Sequence, residues 1–118
     1  MTSKELLDKL TQTEPSPTFL SQAEKCYGPI RDPEVKRLLS LQKDALFFDD
    51  CRLLSHDEIL HASEQLHVDF PEKGILPLID CGDNDFIVFH LKTGRWSRFN
   101  IVDESTFMER DSFKALLV

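Results

Sequence analysis

Ile75-Leu76-Pro77-Leu78-Ile79-Asp80, Cys81-Gly82-Asp83-Asn84-Asp85, Phe86-Ile87-Val88-Phe89-His90-Leu91, Lys92-Thr93-Gly94 and Trp96-Ser97-Arg98-Phe99-Asn100-Ile101-Val102 follow one another almost without a gap. Three of these runs are rich in branched and aromatic residues, which suit a pleated surface. The two between them are turn segments, with Gly94 able to supply a positive φ. Strand, turn, strand, turn, strand with such short connections is an antiparallel meander. Pro77 cannot donate to a ladder, so its strand is expected at an edge or with a bulge. A tight turn that pairs His90 or Lys92 with Arg95 sets the faces. Phe86 and Val88 then share one face with Phe99 and Ile101, while Ile87 and Phe89 share the other with Trp96 and Arg98. The first face is the expected helix-covered core. The second is too apolar for plain solvent surface, so it is either covered by another element or is an interaction surface.

Upstream, local signals predict helices. Thr2 and Glu5 have capping-box spacing before Leu6, Leu7 and Leu10, giving a helix from about Ser3 to Gln12. Glu14-Pro15-Ser16-Pro17 ends it. Thr18 caps a short helix that carries Phe19, Leu20 and Ala23 and finishes near Tyr27-Gly28-Pro29. Asp32-Pro33 reads as N-cap plus first-turn proline before Val35, Leu38 and Leu39. Ala45 to Leu54 reads as a strand, bulged or broken at Asp49-Asp50. Ser55 and Glu58 form a second capping box, with Leu54 and Ile59 at staple positions. That helix runs to about Leu66 with Ile59, Ala62, Ser63 and Leu66 facing inward. A last helix from about Asp111 carries Phe113, Leu116 and Leu117. The expected fold is α+β, an antiparallel sheet with helices packed on it. It forms one domain over 1–118, helical over about 1–44 and sheet plus helices over about 45–118.

The 118 residues match one ordinary domain of roughly 100–150 residues. Apolar residues are 41 % of the chain, enough for a core without disulfides or metals. Lys and Arg number 14 against 21 Asp and Glu, a net charge of −7. This balance argues against nucleic-acid binding, which needs clustered Lys and Arg to displace counterions, and against an anionic membrane surface. No apolar run approaches the ~18–20 residues of a membrane span, and the N-terminus has no signal-peptide core. The cysteines Cys26, Cys51 and Cys81 are odd in number and form no CxxC, which reads as free thiols in a reducing, cytoplasmic setting.

Catalytic signatures are missing: there is no GxSxG, GxxxxGK[ST] or GxGxxG. His56 and His61 would lie about 140° apart on a helix and cannot chelate as a pair. With His67 and His90 they read as solvated surface histidines, and no metal site or cofactor is expected. Asp80-Cys81-Gly82-Asp83-Asn84-Asp85 lacks the order and the distal Glu of a calcium loop, so it reads first as an Asp/Asn-rich turn. The remaining acidic clusters are Asp49-Asp50 and Asp103-Glu104 with Glu109. The acidity serves solubility or steers a basic partner. In the second case Asp80, Asp83 and Asp85 supply charge, and Trp96 and Arg98 are the residue types that anchor interfaces. Otherwise Trp96 packs the second face.

The order of several short motifs resembles one family. Leu53-Leu54-Ser55-His56-Asp57-Glu58-Ile59 is similar to its "l-s-x-e-e-i" helix start, and Gly74-Ile75-Leu76-Pro77-Leu78-Ile79-Asp80 to its "ipia" strand. Gly82-Asp83-Asn84-Asp85-Phe86-Ile87-Val88 resembles "gGdyyyl", Lys92-Thr93-Gly94-Arg95-Trp96 resembles "tGkV", and Ser112-Phe113-Lys114-Ala115-Leu116-Leu117 resembles "sFeeFL". From Leu53 to Leu117 the chain thus resembles the SMI1/KNR4 family, also called the SUKH superfamily. The family's N-terminal "lP-x-x-y-x-x-f" helix is matched only approximately by Asp32–Leu39, and no "nG" loop follows. The resemblance implies an α+β fold and a non-catalytic, protein-binding role. Bacterial members are mostly immunity proteins that neutralise a cognate toxin, often a nuclease, and fungal members act in cell-wall regulation and signalling. The expectation is an immunity protein that binds a basic toxin or nuclease domain. The alternatives are a regulatory or scaffold module and, further off, a small-ligand or cation-binding domain using the Asp80–Asp85 turn.

Overall fold

The computed structural model describes residues 1–42 and 46–117. The predicted boundary near residue 44 and the Ala45 start of the first strand lie outside the described residues. In chain order the elements are α1 (Ser3–Thr11), α2 (Pro17–Tyr27), α3 (Pro33–Leu41), β1 (Phe47–Phe48), β2 (Cys51–Leu53), α4 (His56–Leu60), α5 (Ala62–Leu66), α6 (Phe70–Lys73), β3 (Ile75–Asp80), β4 (Asp85–His90), β5 (Trp96–Asn100), β6 (Thr106–Arg110) and α7 (Phe113–Leu117). The fold is α+β: one six-stranded antiparallel sheet in the order β1-β2-β3-β4-β5-β6, with helices on both sides.

The predicted caps place the helices. Thr2 with Glu5 and Ser55 with Glu58 each close a reciprocal capping box, and Asp32 accepts from the Val35 amide ahead of Pro33. Three local readings are corrected. Ser16, not Thr18, caps α2, because Pro17 has no N–H to lose and fits the first helical position. The helix after Ser55 breaks at His61 into α4 and α5. The short α6, capped by Asp69, was not anticipated; its four residues are too few to show a helical period.

The sheet decides between the stated alternatives at two points and corrects a third reading. At Asp49-Asp50 the break rather than the bulge is observed: the aspartates form the two-residue turn of a β1–β2 hairpin, with Phe48 opposite Cys51 and Asp49 at φ 48°. Of the two alternatives for the Pro77 strand the bulge is observed and the edge is not: β3 lies between β2 and β4, and its ladder shifts register between Pro77 and Ile79, which accommodates the proline. β5 ends at Asn100 rather than Val102, and the chain returns as β6, a strand absent from the sequence reading.

The predicted faces are observed. Phe89 pairs with Trp96, Val88 with Ser97, Ile87 with Arg98 and Phe86 with Phe99. Phe70 of α6 meets Phe99 edge-on at 5.8 Å on the first face. The second face is covered: Trp96 lies 5.0 Å from Phe113 of α7 and 5.1 Å from Phe89. Glu34 of α3 accepts the Phe113 amide, which ties the helical N-terminal part to α7 over this face. Ile79, Ile87, Phe89 and Trp96 are all buried, as are Val88, Phe86 and Phe99 opposite.

Two polar ties lock helices to the sheet. Gln42, fully buried after α3, donates through Nε2 to the Leu54 and Leu78 carbonyls at 3.1 and 2.7 Å. Arg52 of β2 reaches Glu58 of α4 through two hydrogen bonds, 2.6 and 2.9 Å, and approaches Asp80 of β3 at 3.7 Å. Those Arg52 hydrogen bonds, helped by the Ser55 amide and opposed by burial, push the Glu58 carboxyl down to about 2. Its unfolded value is near 4.3. Lowered in the folded state, Glu58 contributes stability in full above the unfolded value and loses it as pH falls toward about 2. Urea denaturation should show Glu58→Gln less stable at neutral pH by about 1–2 kcal/mol, since the pair is partly exposed, with the difference shrinking through that acid window. A pH-independent difference would contradict this.

Candidate docking surface at the acidic end of the sheet

In an antiparallel meander every second turn lies at the same end. The β1–β2, β3–β4 and β5–β6 turns therefore gather at one end, and each is acidic. They bring together Asp49 and Asp50, then Asp83 with Asp85 at the start of β4, then Asp103 and Glu104. Asp80, at the end of β3, borders the same group. The sequence showed these as separate clusters; the topology makes them one surface. Glu109 does not join it, because it sits on β6 and pairs with Arg95 beyond the far end of β5.

Two of the turns are held side by side. Asn100 Nδ2 donates to Asp85 Oδ1 at 2.8 Å, and its Oδ1 accepts the Val102 and Asp103 amides. The Ile101 amide donates to the Asn84 carbonyl at 3.0 Å. Asn100 thus stitches the β3–β4 turn to the β5–β6 turn, a positioning role that an Asn inside a strand does not announce. Asp83, Asn84 and Glu104 adopt positive φ values of 52°, 65° and 57°, a conformation that Asn and Asp tolerate better than most side chains.

The carboxylates differ in how free they are. Asp80 is committed inward: Oδ1 accepts the Gly82 amide at 2.9 Å and Oδ2 faces Arg52. Asp49 accepts from the Ser3 amide and hydroxyl, tying its turn to the start of α1. Glu104 pairs with Lys73 at 2.8 Å. Asp103 accepts from the Ser105 hydroxyl and amide, which holds its carboxyl below the usual range. Asp50 and Asp83 are exposed, and their side chains make no hydrogen bond or ion pair among the described residues.

Of the five residues singled out from sequence, Asp80, Asp83 and Asp85 lie together here. Trp96 does not: at 1 % exposure it is core, and a partner cannot reach it. Arg98 is half-buried beside Ile87 on the covered second face, with Nε lacking a hydrogen-bond partner among the described residues.

The histidines also differ from the solvated set expected. His56 stacks on Phe19 at 3.8 Å and bonds the Leu39 carbonyl. His90 Nε2 lies 2.7 Å from Ser97 Oγ, and burial lowers its pKa, which favours the neutral ring. Ser97 has no exposed surface, so this pair offers no nucleophile to a substrate. Only His61 and His67 are exposed. No group of three or more His, Cys, Asp or Glu among the described residues converges as a metal site. No described helix is long and apolar enough to cross a membrane.

Comparison of the chain with protein-family models, curated proteins and solved structures finds no match. The surface itself is open to test. Asn100→Ala should loosen both turns, speeding hydrogen exchange at the Val102 and Asp103 amides at least tenfold and costing about 1–2 kcal/mol. Unchanged exchange there would remove Asn100 from its positioning role.

Proposed function

We propose that this chain is a non-catalytic binding domain whose acidic sheet end receives a basic surface on a protein partner. The observation that carries the reading is the placement of three acidic turns at one end of the sheet, where Asp50 and Asp83 are exposed and their side chains bond no group among the described residues. Among the described residues, Arg52 pairs with Asp80 and Lys73 with Glu104, while Asp50, Asp83 and Asp103 have no cationic side chain in a salt bridge with them. The field of such carboxylates steers association and weakens with salt, over a screening length of about 10 Å at 0.1 M. The resemblance of Leu53–Leu117 to SUKH proteins narrows the partner to a basic toxin or nuclease domain, which this protein would neutralise by covering its nucleic-acid-binding surface. A nuclease must itself attract polyanions, so an acidic docking surface suits it.

Affinity capture from the native host at low and moderate salt, read by mass spectrometry, tests this with two baits. The wild type should retain a basic protein at low salt, and Asp50→Lys/Asp83→Lys/Asp103→Lys should lose it. With the purified pair, the triple variant should associate on the order of 10- to 1,000-fold more slowly at low salt. The captured protein should arrest growth when expressed alone and be neutralised by co-expression. Equal retention by both baits would contradict the surface. A partner that is harmless when expressed alone would replace the immunity reading with the regulatory one.

A further inference from the structure

The β2–β3 ladder ends at Arg52–Asp80, and one further step of its register sets Cys51 opposite Cys81, beside the first two acidic turns. The Leu54 amide donates to the Leu78 carbonyl, so hydrogen-bonded and non-hydrogen-bonded pairs alternate outward from there. Leu53–Ile79 is then non-hydrogen-bonded, Arg52–Asp80 hydrogen-bonded, and Cys51–Cys81 non-hydrogen-bonded. At such positions the Cα atoms approach to about 4.5 Å, inside the range of about 4.4–6.8 Å that a disulfide bridges. Both side chains share the parity of Leu53 and Ile79 and point to the same face. Their sulfurs are 3.2 Å apart as free thiols.

We propose that Cys51 and Cys81 form a reversible dithiol–disulfide site that takes a low-molecular-weight disulfide, of the glutathione type, as its oxidant. The Cys51 thiolate attacks one sulfur of the external disulfide, breaks its S–S bond and expels one thiolate, leaving a mixed disulfide on Cys51. Cys81 then gives up its proton and attacks Cys51 Sγ, expelling the second thiolate. The two protein thiols are oxidised and one external disulfide is reduced to two thiols. Burial pushes the Cys81 thiol up, and the adjoining Cys51 sulfur adds to this, while Arg98 acts the other way. Cys81 therefore waits as the thiol, and Cys51 makes the first attack. Closing this bridge ties β2 to β3 across the long excursion through α4, α5 and α6, which constrains the unfolded chain. The proposal stands on the register and the sulfur contact, independently of what docks on the acidic end. Cys26, exposed on α2, takes no part.

The test uses the full chain with Cys26→Ser, a surface change, equilibrated with equal reduced and oxidised glutathione, then acid-quenched and alkylated. Mass spectrometry should find a chain that has lost two hydrogens, carries no glutathione and joins its Cys51 and Cys81 peptides. Its Tm should exceed that of the dithiothreitol-treated chain by on the order of 10 °C. Adding Cys81→Ser should instead trap a stable glutathione adduct on Cys51. Two free thiols, or separate glutathione adducts on both cysteines of the folded chain, would overturn the proposal. That first readout is decisive even if Cys81→Ser does not fold.

Discussion

The central strands of this domain must be buried on both faces, and the rest of the structure follows from that. β3 is apolar at every position but its last, β4 is apolar from Phe86 to Phe89, and β5 buries Trp96, Ser97 and Phe99, unlike an antiparallel sheet with one wet face. Each large apolar side chain withdrawn from water contributes about 1.5–3 kcal/mol. The helices therefore divide into two coverings. α4 and α6 pack on β3, with Phe70 of α6 against Phe99, and α7 packs on β5 with Phe113 against Trp96, held to α3 through Glu34. Tyr27 donates to the Ile59 carbonyl of α4, and Gln42 to the Leu54 and Leu78 carbonyls, so polar contacts tie α2 to α4 and the end of α3 to the sheet.

This arrangement leaves little of the sheet for a partner except its ends and its edges. The edges are blunted. β1 is two residues long. β6 is exposed along its whole length, but its register with β5 shifts and Met108 has a φ of 54°, so it presents no flat row of backbone groups. Such irregularity is how natural sheets avoid edge-to-edge pairing. Apolar side chains at Val102, Phe107 and Met108 are exposed there, adjoining the acidic turns. The ends of the sheet then differ in character. One carries the acidic turns. The other carries Lys92 and Arg95, with Arg95 already engaged by Glu109 and Asp111.

What the sequence made legible were features that one segment specifies alone. The capping boxes at Thr2 and Ser55, the Asp32-Pro33 start and the β3–β4–β5 meander with its faces all appear where local chemistry placed them. Features fixed by distant segments were not legible. Thr106–Arg110 exposes every side chain, so it has no alternation to betray a strand, and only pairing with β5 makes it one. Asp49-Asp50 lacks the glycine of a favoured hairpin turn, yet Asp49 adopts the positive φ and Ser3 holds its side chain. The acidic surface was hidden for the same reason. Its clusters were visible, but their convergence depends on counting every turn, and two of the three belong to the hairpins that sequence alone misplaced. Trp96 illustrates the opposite failure: its residue type suggested an anchor, whereas Phe113 arrives later in the chain to cover it.

In the proposed complex the partner binds at the turn end while both covered faces stay closed. The most direct measurement is a titration of the isotopically labelled chain with its captured partner, followed by backbone amide NMR. Docking at the turns should concentrate the shifts at Asp50, Gly82, Asp83, Asn84 and Asp103, with the Trp96 indole signal unmoved. Shifts centred on α1, α3 and α7, with the acidic turns silent, would contradict it.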